Sequence, residues 1–178
     1  MVFLVGFMGA GKSAVGQYLA EHHQRRFADL DRLIEEREGR TIIQIFQNSG
    51  EAAFRKLESE ALGRLLTGEL PSPPEIVALG GGAYIREENA RRIREAHGVV
   101  VFLDAPVEEL LVRCRSDRQP HERPLLRDES VFRRLYEERK PHYYRANFRV
   151  ETAGKPIGEV AREVARALRQ ANILWEES

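Results

Sequence analysis

The chain has 178 residues, with 28 basic and 28 acidic side chains and a formal net charge of zero. That length predicts a single domain over residues 1–178 with a sizeable buried core, and the charge balance argues against a nucleic-acid binder, which usually carries a basic excess. Cys114 is the lone cysteine, which leaves no intrachain disulfide and no cysteine-based zinc site; no stretch is long and apolar enough to span a bilayer, so a soluble cytoplasmic protein without a membrane partner is expected.

Residues 1–5 are apolar and read as a buried strand. They run directly into residues 6–13, GFMGAGKS, which fit the pattern G-x-x-x-x-G-K-[ST] between a strand and a helix predicted over 12–22. A loop that wraps a phosphate chain needs inward-pointing N–H groups and no side chains in the way, and Gly6, Gly9 and Gly11 supply that freedom. Lys12 can reach the β- and γ-phosphates, the Ser13 hydroxyl can hold Mg²⁺, and the helix adds the positive end of its dipole. A nucleoside triphosphate site follows.

A weaker strand near 27–30 ends in FADLD, with Asp29 and Asp31 two residues apart. Extended residues at that spacing point the same way, toward the carboxyl edge of the sheet where open α/β folds bind ligands. The alternative is that Asp31 merely caps the helix predicted over 32–38. Beside a magnesium-nucleotide loop, one carboxylate near the metal and another near an acceptor hydroxyl are what phosphoryl transfer requires.

Thr41 followed by Gln44 forms a capping box that opens a short helix over 42–47. The next helix, 51–66, carries Phe54, Leu57, Ala61 and Leu65 as a core stripe, with Arg55 beside it and Glu58 three residues on, close enough to pair. A Pro-rich loop leads to a strand over 75–79, and Gly80-Gly81-Gly82 at its end permit close backbone approach to a ligand. The rest alternates: helix 87–96, strand 99–103, helix 107–113, helix 129–145 with Arg139, strand 148–152 and helix 157–170. Between 107–113 and 129–145 lies the polar loop 115–123, RSDRQPHER, whose composition suits a mobile flap ending at Arg123. Strands interleaved with helices make this an α/β fold with a parallel sheet covered on both faces.

Taken together, GFMGAGKSAVG, FADLDRLIEEREG, IFQNSGEAAFRKLE, LGGGA, RPLL and ERKPHYYR resemble the signature blocks of the shikimate kinase family, in order and spacing, from residue 1 to about 156. The resemblance implies a three-layer P-loop kinase fold of the nucleoside-monophosphate-kinase type, a five-stranded parallel sheet and a mobile lid at about 115–127. It implies transfer of the γ-phosphoryl of ATP to the 3-hydroxyl of shikimate, in aromatic amino acid biosynthesis, with Mg²⁺ as cofactor. The implied nucleotide contacts are Gly9, Ala10, Gly11, Lys12, Ser13, Ala14, Arg123 and Lys155. Ser13 and Asp29 would serve the metal, Asp31 the reacting hydroxyl, Arg55 and Arg139 the shikimate carboxylate, and Gly80, Gly81 and Gly82 the substrate through backbone groups. Lys12, Asp31 and Arg123 would be catalytic, with Glu58 supporting Arg55. A monomer that binds only small molecules, ATP and shikimate, is expected.

Two departures stand out. Ala14 occupies a position where many members have threonine, so that hydroxyl contact is absent. Nine residues separate Arg113 from Arg123, a longer lid than usual, which leaves the adenine-stacking arginine open among Arg113, Arg115 and Arg118. Rival readings are a kinase for another sugar or polyol acid, which paired arginines would also serve, and a nucleotide-binding switch. The GTPase form of a switch needs N-K-x-D, which none of the asparagines begins.

Overall fold

A computed structural model of the chain describes residues 1–116 and 128–173. Five strands form one parallel sheet: β1 (Val2–Val5), β2 (Phe27–Asp29), β3 (Ile76–Ala78), β4 (Val99–Asp104) and β5 (Phe148–Glu151), in the spatial order β2-β3-β1-β4-β5. Every residue of β1 is buried, as an all-apolar central strand covered on both faces demands. The strands match the expected ones to within a residue or two at each end.

Seven helices surround the sheet among the described residues: α1 (Lys12–His22), α2 (Leu30–Glu38), α3 (Ile42–Leu66), α4 (Glu87–Glu95), α5 (Val107–Ser116), α6 (Glu129–Tyr143) and α7 (Ile157–Gln170). The capping box is present, with Thr41 accepting from the Gln44 amide and Gln44 from the Thr41 amide; such a cap is worth about 1 kcal/mol. The two helices expected on either side of Gly50 run on as α3, kinked where Gly50 adopts φ 77° and ψ 172°. The start of the polar flap differs from expectation. Arg115 and Ser116 belong to the last turn of α5. The rest of the flap and lid, 117–127, lies outside the described residues, and with it Arg118 and Arg123.

Topology positions the site. The chain leaves β1 to form α1, and the neighbours of β1 are β3 on one side and β4 on the other. The crevice at such a switch point lies beyond the carboxyl ends of the strands. Asp29 pairs in register with Ala78, and Ala78 with Leu4. The P-loop, the Asp29–Asp31 segment and the three glycines therefore emerge together from one edge.

Candidate active site

The phosphate side is made of backbone. Gly9 sits at φ 81°, and a Cβ there would stand 2.8 Å from the Cys114 Sγ and 2.9 Å from the Leu110 carbonyl oxygen. Only glycine fits, and α5 seals the loop from behind. Gly11 is the left-handed N-cap of α1, and no side chain caps that helix, so its first N–H groups remain for a ligand. The Lys12 ammonium donates to the carbonyls of Gly6 (3.0 Å) and Phe7 (3.1 Å), which holds it inside the curve of the loop. The buried Ala10 closes the turn by donating its amide to Phe7 at 3.2 Å, whereas Ala14 is exposed on α1.

Arg113 joins this loop to the one following β5. Its guanidinium donates to the Gly9 carbonyl (3.4 Å), the Thr152 hydroxyl (2.9 Å), the Thr152 carbonyl (2.6 Å) and Glu109 (2.6 Å). Glu109 in turn accepts from the Gly154 amide at 3.0 Å. Arg115 is elsewhere, paired with Glu129 at 2.5 Å. The Lys155 ammonium is engaged by both carboxylate oxygens of Glu163 on α7, at 2.8 Å each.

The candidate metal position is an oxygen pair. The Ser13 hydroxyl donates to Asp29 Oδ2 at 2.5 Å, while Oδ1 of Asp29 accepts from the Asp31 amide at 3.0 Å. Asp29 is thus the N-cap of α2. This corrects the expectation that Asp31 is extended, since it is helical, and it also rules out the alternative in which Asp31 is the cap. Capping by the last strand residue draws α2 back by two residues. Mg²⁺ takes oxygen ligands, keeps much of its water shell and is shared with substrate phosphates. A hydroxyl and a carboxylate at the mouth of a phosphate loop fit that ion. Among the described residues no group of three or more His, Cys, Asp or Glu side chains could hold a metal alone.

The acceptor side is made of side chains on a glycine floor. A Cβ at Gly80 would lie 2.8 Å from Asp31 Oδ1 and 3.0 Å from Glu58 Oε1, and one at Gly82 would lie 2.6 Å from the Arg55 Cζ. At Gly81 it would lie 3.3 Å from an Arg139 nitrogen. None of the three has positive φ, so these glycines provide space rather than an unusual backbone. Asp31 Oδ1 is buried with no hydrogen-bond partner. Burial, reinforced by the charges of Asp29 and Glu58 and opposed by Lys12, pushes the Asp31 carboxyl up to about 7. Glu58 is fully buried, and Arg55 donates to its two oxygens at 3.0 and 3.2 Å. Burial raises the Glu58 carboxyl, with Arg55, Arg86 and Arg139 pulling the other way.

Two contributors went unread in the sequence. Tyr143 donates its hydroxyl to the Gly81 carbonyl at 2.5 Å and is hydrogen-bonded by Arg139. It lies four residues after Arg139 on α6, a spacing that marks one helix face. Glu51, four residues before Arg55, accepts from its Nε and second terminal nitrogen at 3.2 and 3.1 Å.

A family model described as shikimate kinase matches residues 8–169. The chain belongs to the shikimate kinase family. It is 40% identical to the shikimate kinase of Persephonella marina, over 94% of this chain and 98% of that one. With the shikimate kinase of Geobacter sulfurreducens it shares 44% identity, over 95% of this chain and 91% of the other. Among solved structures, shikimate kinase from Acinetobacter baumannii in complex with shikimate superposes with a TM-score of 0.84 at 36% identity, covering 97% of this chain and 94% of that one. Shikimate kinase from Aquifex aeolicus gives 0.81 at 39%, covering 98% and 99%. A gluconokinase from Sinorhizobium meliloti, at 20% identity and a TM-score of 0.61, shares the fold alone. The shikimate kinase fold expected from the sequence, a parallel five-stranded α/β sheet with a P-loop, is the one observed, and the chain is an ATP-using kinase.

Proposed function

We propose that this chain transfers the γ-phosphoryl group of ATP to the 3-hydroxyl of shikimate, giving shikimate 3-phosphate and ADP in aromatic amino acid biosynthesis. Within that reaction one observation carries the assignment of roles. A buried carboxylate oxygen of Asp31 has no partner and lies against Gly80, and the guanidiniums of Arg55 and Arg139 lie against Gly82 and Gly81. An unsatisfied buried acceptor costs free energy, which a substrate hydroxyl donating to Asp31 would recover. Two arginines bind the ring carboxylate and fix its far end, so that one hydroxyl meets Asp31.

Phosphoryl transfer asks mainly for positioning and neutralisation of charge. The loop amides of Gly9, Gly11, Ser13 and Ala14, with the Lys12 ammonium, hold the phosphates, while Ala10, whose amide is engaged by Phe7, shapes the loop around them. The ribose and adenine extend toward the loop of Thr152, where Lys155 contributes through its backbone because its ammonium is held by Glu163. Ser13 and Asp29 would hold Mg²⁺, and when bound that ion would supply neutralisation of phosphate charge. Asp31 orients the acceptor hydroxyl and takes its proton at the carboxylate. Arg123, from the segment that follows α5 in sequence, would cover the transferring group as a lid residue.

The wider reading is a one-domain, cytoplasmic monomer that takes no nucleic acid. The charge balance supports the last point. Among the described residues, no helix is long and apolar enough to cross a membrane. The exposed large apolar side chains among the described residues, Met1, Phe46, Val112, Tyr144 and Ile157, are scattered along the chain. A coupled assay of ADP release tests the reaction. With MgATP, shikimate should raise turnover far above the intrinsic ATPase rate, and gluconate or quinate should do so much less. Equal turnover on gluconate would move the chain to the sugar-acid kinases.

A further inference from the structure

Arg55 is held by two carboxylates of unlike kind. Glu58, with 0% of its side chain exposed, takes one terminal nitrogen from inside; Glu51, 65% exposed, takes the opposite edge from outside, and Arg55 itself is 18% exposed. The edge that Glu51 occupies is formed by Nε and the second terminal nitrogen. That edge presents two parallel N–H groups and so allows a two-point grip on a carboxylate. Glu51 uses it poorly, because a single oxygen, Oε1, receives both N–H groups. We propose that Glu51 is an internal competitor for the substrate carboxylate, occupying the Arg55 edge until shikimate displaces it and thereby setting the KM for carboxylate-bearing acceptors.

The inference rests on the proposed role of Arg55, and the local structure explains why displacement is easy. Gly50, at φ 77° and ψ 172°, breaks the helical path immediately before Glu51, so Glu51 opens a fresh helical turn and stands at a pivot. Its solvent-facing carboxylate regains water on leaving. A ligand carboxylate offers two oxygens where Glu51 offers one, so it wins the edge. While it waits, Glu51 keeps the guanidinium oriented and closed to anions too weak to displace it. Glu58 stays in place throughout, since removing it would strand a buried charge.

Steady-state kinetics of Glu51→Gln, with MgATP saturating, test this. The amide no longer competes as a charge, so the KM for shikimate should fall about two- to fivefold, the range expected of an exposed ion pair, while kcat changes by less than that. A shikimate analogue whose carboxylate is reduced to a hydroxymethyl group makes no claim on the Arg55 edge and should show no gain. An unchanged or raised KM in Glu51→Gln, with wild-type turnover on shikimate intact, overturns the proposal and leaves Glu51 as a helix-start residue. Equal gains for both acceptors also overturn it, since general loosening of the pocket would then be the cause. Absence of shikimate-stimulated turnover in the wild type would instead strike the functional reading itself.

Discussion

The two halves of the site meet at one sheet edge and are built on opposite plans. The phosphate half is local: eight consecutive residues, backbone amides and one lysine folded over its own carbonyls. The proposed acceptor half draws on four separate parts of the chain: Asp31 from α2, Arg55 and Glu58 from α3, the glycines after β3, and Arg139 from α6. A backbone cradle accepts any polyphosphate and costs little to maintain. The acceptor half gathers like charges in a confined space, visible in Asp31, whose carboxyl is pushed up to about 7. Generality resides on the first side, and selectivity with its attendant strain on the second.

Substitutions on the acceptor side should therefore spare nucleotide binding, and the largest effect belongs to Asp31. Asp31→Asn is expected to lower kcat by about 10²–10⁴, with ATP affinity measured by titration nearly unchanged. In the wild type, kcat/KM for shikimate should climb as pH rises and level off above about 7, as Asp31 gives up its proton. That limb should vanish in the variant. Near-normal turnover of Asp31→Asn would erase the division between the halves.

Next in size are the arginines. Arg55→Ala and Arg139→Ala each leave a carboxylate without its partner, which costs on the order of 2–5 kcal/mol. Shikimate affinity should drop roughly thirtyfold to a few thousandfold, again with ATP affinity preserved. Equal loss of both ligands would show the two halves to be one coupled unit.

Gly80→Ala is a finer probe, because its Cβ would meet Asp31 Oδ1 at 2.8 Å and Glu58 Oε1 at 3.0 Å. Displacing both carboxylates should lower kcat about 10–100-fold, a loss of the kind produced by an ångström-scale misplacement. Circular dichroism should show the fold retained. Full activity would mean that neither carboxylate needs its observed position.

The smallest effect is on stability. Asp31 keeps its proton up to about 7 when folded but only to its ordinary 3.8 when unfolded. Between those values the folded state binds the extra proton. Its stabilising contribution is therefore complete below about 3.8 and is lost as pH rises through about 7. Asp31→Asn removes the buried charge, so it should melt a few degrees above wild type at pH 8, with the gap closing toward pH 4. A variant that melts lower at pH 8 would show that Lys12 and the helix start outweigh the repulsion.

The same division explains what could be read from the sequence. The P-loop and all five strands were legible because their signals are contiguous: a glycine pattern, apolar runs and turn residues. On the acceptor side, the family's blocks placed Asp31, Arg55, Glu58, Gly80 and Arg139 together. Residue patterns alone left Glu58 an ordinary i,i+3 partner, because nothing local foretells that Gly80 packs against it. Glu51 and Tyr143 escaped for the same reason, since each acquires meaning only from a partner that the fold supplies. The helix expected to start at residue 32 starts at Leu30, a boundary error of two residues arising where a strand passes into a helix without a loop.

The glycine floor also bears on how such an enzyme changes its acceptor over generations. A glycine needed for a left-handed backbone, such as Gly9, resists replacement whatever surrounds it. Gly80, Gly81 and Gly82 have ordinary backbone angles, so the obstacle to a side chain there is the neighbour and not the chain itself. Those neighbours are Asp31, Glu58, Arg139 and Arg55, the same side chains proposed to serve the acceptor. A methyl group added to the floor would therefore displace a working group, and a change of acceptor must alter floor and side chain together. The phosphate loop is held by its own backbone instead, and stays as it is.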